Sequence, residues 1–113
     1  MDCKALAEAG INVEEGIKRF CGNADIYERL LYKFPNERQF FDLIDAIEEG
    51  NVKEAFQAAH ALKGVCGNLS IQKMYEDLVP IVEILRAGSM DGVEELCGIL
   101  KVSYSEVIKV LQR

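Results

Sequence analysis

A single histidine, His60, lies in the middle of the chain, with a lysine three residues and a glycine four residues after it. In a helix, these spacings place Lys63 and Gly64 about one turn from the imidazole ring. A neutral imidazole is a nucleophile near pH 7, because its ordinary pKa is about 6.5. The lysine supplies a positive charge, and the glycine leaves room beside the ring. These residue types favour chemistry on a bulky, negatively charged group that a partner brings to the ring nitrogen.

The helix that carries His60 is expected to begin at Asn51, because an asparagine followed three residues later by a glutamate is a helix start signal. We predict that it ends near residue 69. Apolar residues recur along it at spacings of three and four, which predicts a narrow core-facing seam. The seam consists of Val52, Ala55, Ala59, Leu62, Cys66 and Leu69. At about 100° per residue, His60 projects roughly 130° from the centre of the seam and should face solvent.

The exposed side of this helix is the candidate docking surface. Gly64 lies roughly 170° from the seam centre. The other members of the surface are Lys53, Phe56, Gln57, Lys63, Gly67 and Asn68. A glycine in a helix costs about 1 kcal/mol relative to alanine, so two glycines on a polar face weaken the helix without a packing benefit. This combination favours a functional site over the alternative of an ordinary solvated face with an isolated histidine.

Helical periodicity continues through the rest of the chain, and no hairpin or strand pattern is present. Asn12 is expected to begin a short N-terminal helix that Gly22 ends, and Asp25 is expected to cap the next one. Pro35 interrupts the apolar series at positions 25–49, so this stretch is predicted to form one kinked helix or two short ones.

Two further helices are predicted after residue 70. Pro80 is expected to bend the first of them, Gly88 to end it, and Ser89 to cap the second. Four amphipathic segments with short connections predict an all-α fold, an antiparallel four-helix bundle with a short extra N-terminal helix. We expect a single domain over residues 1–113, with the short helix within about 1–22 and the bundle within about 24–112.

Composition restricts the partners. The net charge is −6 and no stripe of basic residues is present, which disfavours nucleic acids and anionic membrane surfaces. No apolar run reaches the roughly 18 residues of a membrane span, and the first residues lack the features of a signal peptide. A cytoplasmic protein is therefore expected, and a monomer is expected because the amphipathic helices leave the outer faces of the bundle polar.

The four cysteines do not indicate a metal site. Cys3, Cys21, Cys66 and Cys97 form no CxxC pair, and one histidine does not complete a zinc site of the usual spacing. A disulfide framework is not expected in a cytoplasmic chain. We interpret the cysteines as small apolar residues in or near the core.

The stretch "HALKGVCGNL" at residues 60–69 closely resembles the signature of histidine-containing phosphotransfer domains. That signature is roughly His-x-Leu-Lys-Gly followed by small residues, an apolar residue and a glycine. The segment "GINVEEGIKRFCGNADIYERLLYKF" resembles the N-terminal region of the family, and the resemblance extends over residues 10–111. Two positions depart from the pattern: Ser70 stands in place of a glycine, where it could cap the next helix, and Pro80 is unusual in a bundle.

The resemblance implies a phosphocarrier. His60 would accept a phosphoryl group from the aspartyl phosphate of a receiver domain and pass it to another receiver. Lys63 would steady the phosphoryl oxygens, and Gly64 would give the receiver room. Mg²⁺ and most catalytic groups are expected from the receiver, with no cofactor bound by this chain. The partners would be response-regulator receiver domains, with a hybrid sensor histidine kinase left open as a further partner.

Two other functions are alternatives to this one. A helical adaptor of the same fold could dock receivers without being phosphorylated, although it would not need the nucleophile. A small enzyme is disfavoured, because Cys66 is six residues from His60 and lies on a different helix face. Kinase activity is also not expected, since the chain contains no GxxxxGK[ST] loop for nucleotide phosphates.

Overall fold

The computed structural model describes residues 1–112, and over this range the chain forms seven α-helices and one 3₁₀ turn without any strand. The helices are α1 (Cys3–Glu8), α2 (Val13–Arg19), α3 (Ala24–Leu31), α4 (Gln39–Glu49), α5 (Val52–Asn68), α6 (Gln72–Arg86) and α7 (Val93–Leu111), and the 3₁₀ turn is Phe34–Asn36. The predicted all-α class is confirmed. The single domain over residues 1–113 stays a prediction, and Arg113 lies outside the described residues.

The four longest helices, α4 to α7, form the bundle. Helix α5 packs against both α4 and α6, and α7 packs against α6. The connections between these helices are short, as in antiparallel bundles. Phe40 of α4 and Tyr104 of α7 stack with ring centroids 3.7 Å apart, which brings the first and last helices of the bundle together. Among the helices of residues 1–112, none combines the length and apolarity needed to cross a bilayer.

Both asparagine start signals act as helix caps. The side-chain oxygen of Asn12 accepts a hydrogen bond from the Glu15 amide, and that of Asn51 accepts one from the Glu54 amide, each at 3.1 Å. Each bond satisfies an amide that has no partner within its helix. Gly50 ends α4 with a left-handed φ of 72°. The predicted start of the histidine-bearing helix is therefore confirmed.

The N-terminal region differs from the prediction. Two helices, α1 and α2, replace the single short helix expected within residues 1–22. Gly10 separates them with a φ of +87°, which a right-handed helix cannot accommodate. Helix α2 already ends at Arg19.

The predicted caps at Asp25 and Ser89 are wrong. Asn23 caps α3 by accepting the Ile26 amide at 3.1 Å, and Asp25 lies in the first turn of that helix. The Ser89 hydroxyl accepts a hydrogen bond from the Asp91 amide and so stabilises the turn before α7. Helix α7 begins only after Gly92.

The two prolines have different consequences. Pro35 lies in the 3₁₀ turn, so the stretch that it interrupts forms two separate helices, α3 and α4. A proline fits there because the first positions of a helical turn need no backbone amide. Pro80 lies inside α6, which continues through it to Arg86.

The N-terminal helices hold the turn between α5 and α6. The Asn12 amide donates to the Ser70 carbonyl at 2.8 Å, and the buried Tyr27 hydroxyl donates to the Leu69 carbonyl at 2.7 Å. An added Cβ at Gly16 would overlap the Tyr27 ring, so a glycine is required where α2 crosses it. The C-terminal end of the helix that carries the histidine is thus fixed by a distant part of the chain.

Ser70 shows why a glycine suits this turn. Its φ is 55°, in the left-handed region that disfavours a side chain. The residue does not cap α6, since Ile71 occupies the capping position, and the expectation that it would is wrong. Its hydroxyl instead donates to Glu15 of α2 at 3.3 Å.

We predict that ionisation of Tyr27 destabilises the fold in alkali. Burial, with a smaller contribution from the Glu15 carboxylate, raises the pKa of Tyr27 from 10.0 to about 12. Because the folded state favours the neutral phenol, this stabilisation is complete below pH 10 and is lost as the pH rises to about 12. The loss should be on the order of 2 kcal/mol. Urea unfolding at several pH values measures it, and an equal pH dependence in Tyr27→Phe would contradict the assignment.

We also expect Leu62→Ala to lower the free energy of unfolding by about 2–5 kcal/mol, because Leu62 is fully buried on α5 and truncation leaves a cavity. Chemical denaturation measures the change. Gln57→Ala is the matched control, since Gln57 is an exposed residue of the same helix and should change stability by less than about 0.5 kcal/mol. Identical curves for Leu62→Ala and the parent would show that the rotation of α5 is misassigned.

Candidate functional site

Helix α5 presents His60 to solvent from its central turn. The neighbouring seam residues Ala59 and Leu62 are fully buried, whereas His60 is exposed. The imidazole is therefore accessible to a partner, while the backbone that carries it is held by core packing. This agrees with the orientation predicted from the seam.

Lys63 is half-buried, and its side chain reaches an aromatic ring of α6. Its ammonium group lies 5.9 Å from the centroid of the Tyr75 ring, within the range of a cation–π contact. Tyr75 belongs to α6, so a second helix helps to place the cation near the exposed face of α5.

The two glycines of the exposed face differ in their surroundings. Gly64 has no neighbouring atom within 4 Å of an added Cβ, so the helix surface is open there. An added Cβ at Gly67 would lie 3.3 Å from the Tyr75 ring, closer than most ordinary contacts. The expectation that neither glycine has a packing role is therefore wrong for Gly67, which leaves space for Tyr75.

On the opposite side of the histidine, the imidazole contacts an aromatic ring. The Phe56 and His60 rings are 5.6 Å apart between centroids and nearly parallel, at 16°. The Arg86 guanidinium lies 5.2 Å from the centroid of Phe56. Phe56 was predicted as part of the docking surface, but Arg86 was not, because it follows 26 residues after His60 on another helix. Only the packing of α6 on α5 brings it there.

A groove of about 390 Å³ lies next to Gly64 and is bounded by α2, α5 and α6. Among the predicted site residues, Lys63, Gly64, Gly67 and Asn68 line it, whereas Lys53 and Gln57 are exposed elsewhere on α5. The structure thus divides the predicted surface between the groove, the aromatic pair and the remaining exposed face.

Arg19 of α2 forms one border of this groove, and sequence reasoning did not predict it. Its guanidinium is paired with the Glu15 carboxylate at 3.1 Å. The charge pairing at i and i+4 was visible in the sequence, but its position beside α5 depends on how α2 packs. The groove therefore contains two cationic side chains, of which Arg19 already has an anionic partner.

The cysteines divide into two classes. Cys66 and Cys97 are buried, whereas Cys3 and Cys21 are exposed, so the core interpretation is wrong for the latter two. Burial, with a smaller effect of Glu37, raises the pKa of the Cys66 thiol, which keeps this residue of the groove wall protonated and disfavours its reaction as a thiolate.

The model of the Hpt domain family matches residues 36–110, which is about two thirds of the chain and includes all of α4, α5 and α6. No curated protein and no solved structure matches the chain. The matched range contains the histidine, the lysine and both glycines of the site. Helices α1 to α3 lie before it, and the end of α5 is held by Asn12, which caps α2, and by Tyr27 of α3.

The two glycines give a stability test of the open surface. Gly64→Ala should raise the free energy of unfolding by up to about 1 kcal/mol, because it removes helix-weakening flexibility and meets no atom. Gly67→Ala should gain less or lose stability, since its Cβ presses on Tyr75. Denaturant unfolding of the two variants measures the difference. An equal gain at both positions would show that Tyr75 does not pack on α5.

Proposed function

Because the chain belongs to the Hpt domain family, whose members act in histidine phosphotransfer of two-component systems, we propose that it carries a phosphoryl group on His60. The group comes from the aspartyl phosphate of one receiver domain and passes to another. The observation that supports this most directly is the exposure of the only imidazole beside the open surface at Gly64. A receiver must bring its active site close to the ring, and no side chain obstructs α5 there.

The transfer is a direct displacement at phosphorus. A lone pair on an imidazole nitrogen attacks in line and forms the N–P bond. The P–O bond to the aspartyl group breaks, and its electron pair leaves with the carboxylate. The proton on the second ring nitrogen stays there or passes to water. In the forward transfer the same steps run in reverse, with the carboxylate of the next receiver as nucleophile.

Phosphoryl transfer depends on positioning and charge neutralisation more than on covalent catalysis. In this proposal α5 provides the position, because core packing fixes its orientation. Lys63 contacts the phosphoryl oxygens, and its placement near Tyr75 keeps the ammonium group on the groove side of His60. Lys53, Gln57 and Asn68 contribute polar contacts to the receiver from the exposed face.

The other positive charge that phosphoryl transfer needs would come from the receiver. Mg²⁺ prefers carboxylate and other oxygen ligands, whereas the groups next to His60 are a lysine, a phenylalanine and a glycine. We therefore expect the receiver to hold the cation and this chain to act without a cofactor of its own. The proposal also includes a cytoplasmic location. It includes a monomeric state as well, since one exposed imidazole on one chain is sufficient for the reaction.

A transfer assay tests the function. Receiver domains that carry a labelled acyl phosphate are mixed with the parent protein and with His60→Gln. We expect acid-labile label on the parent and none on the variant, which should keep its helical circular dichroism because position 60 is exposed. Gly64→Ala should accept label more slowly, since its methyl group occupies the approach to the ring.

Label on His60→Gln would contradict the assignment of the nucleophile. Failure of every receiver to label the parent, combined with tight binding of a receiver in a titration, would instead support the non-phosphorylated adaptor. A second receiver added to the labelled parent completes the test, because a carrier must also release its phosphoryl group. Retention of the label would contradict the relay.

A further inference from the structure

Three side chains from two helices form a continuous stack at the site. The imidazole of His60 lies against the ring of Phe56, with centroids 5.6 Å apart and planes within 16°. The guanidinium of Arg86 lies 5.2 Å from the centroid of the same phenyl ring. The first distance is within the range of offset aromatic stacking and the second within that of a cation–π contact.

The stack follows from the helix geometry. Phe56 precedes His60 by four residues on α5, so the two side chains are neighbours on the helix surface. A short turn reverses the chain between α5 and α6. The last residue of α6, Arg86, therefore returns alongside the N-terminal half of α5, where Phe56 lies.

Core packing restrains the ring of Phe56, and an ion pair restrains the guanidinium of Arg86. Phe56 is partly buried and packs against the hydrophobic core, which restricts the motion of its ring. Arg86 pairs with Glu83 at 3.5 Å, which restrains the guanidinium from a second side. Arg86 also occupies the last turn of α6, where a positive charge is favoured by the helix dipole.

We propose that Phe56 and Arg86 are positioning residues for phosphoryl transfer, which hold the His60 imidazole in one orientation with its nitrogen directed to the partner. This inference rests on the proposed phosphocarrier function. An exposed imidazole would otherwise exchange among several rotamers, and only some of them direct the nitrogen toward phosphorus. Stacking on Phe56 reduces the number of rotamers that the imidazole adopts, so a larger share of the molecules have the nitrogen directed toward phosphorus. Arg86 acts through Phe56, because it lies over that ring.

Nuclear magnetic resonance tests the stack directly. His60 is the only histidine, so its ring-proton signals are assigned without further labelling. We expect the Phe56 ring current to displace these signals in the parent and in Phe56→Tyr, and the displacement to disappear in Phe56→Leu. Phe41→Leu is the matched control, because Phe41 is an exposed ring that contacts Phe40 and Tyr104. It should leave the histidine signals unchanged.

Phosphorylation by phosphoramidate, a small donor, tests the consequence without a receiver. We expect Phe56→Leu to react about two- to tenfold more slowly than the parent, the range that corresponds to one aromatic pair. Phe56→Tyr should restore the rate, and Phe41→Leu should react like the parent. Arg86→Gln should slow the reaction by a smaller factor, with Arg86→Lys closer to the parent.

Unchanged histidine signals in Phe56→Leu, or equal rates for Phe56→Leu and the parent, would overturn the proposal. If Phe56→Leu loses its helical circular dichroism, the variants Arg86→Gln and Arg86→Lys test the proposal instead, since Arg86 is exposed and its substitution should not unfold the protein. Equal signals and rates in Arg86→Gln and the parent would then overturn it. Failure of the receiver assay alone, with the expected signals and phosphoramidate rates, would contradict the relay and leave the positioning role supported.

Discussion

The site depends on the rotation of α5 about its own axis. This helix packs on two neighbours, α4 and α6, and its buried positions near the histidine are small: Ala55, Ala58 and Ala59. Small side chains permit close approach of neighbouring helices, and a rotation by one residue, about 100°, would move His60 out of its exposed position. Leu62 and Cys66, which follow His60 on α5, are also buried and therefore fix the rotation of the helix about its axis. The packing that stabilises the bundle therefore also exposes the imidazole.

The C-terminal end of α5 is determined by residues far away in the chain. Ser70 adopts a left-handed φ that a glycine would adopt without strain. Its carbonyl and hydroxyl both bond to α2 or to the residue that caps it, and the preceding carbonyl accepts the Tyr27 hydroxyl. These bonds offset the strain and close the groove on the α2 side. The helices before residue 36 thus shape the groove beside the site, although the matched family range begins after them.

Local signals predicted the features that depend on short spacings. The asparagine caps, the end at Gly88 and the exposed side of α5 all follow from residues within one or two turns of each other. Features that depend on packing between helices were not predicted. Arg86 reaches Phe56 only because α6 returns along α5, and Gly67 leaves space only because Tyr75 packs there. The cap assigned to Asp25 was wrong because Asn23, another capping residue two positions earlier, accepts the first free amide of α3. The cap assigned to Ser89 was wrong because α7 begins only after the left-handed Gly92, and the Ser89 hydroxyl bonds within the preceding turn.

The surroundings of His60 differ along α5 in a way that defines a direction of approach. One turn before it, the ring of Phe56 covers one face of the imidazole and is itself covered by Arg86. One turn after it, Gly64 leaves the surface open, and the groove that begins there is lined by Lys63. Order on one side and access on the other are separate requirements, because a crowded imidazole cannot be reached and an unrestrained one is poorly oriented. Under the proposed function, a receiver would therefore come over Gly64, where its phosphoryl oxygens would meet Lys63 as the nitrogen meets phosphorus.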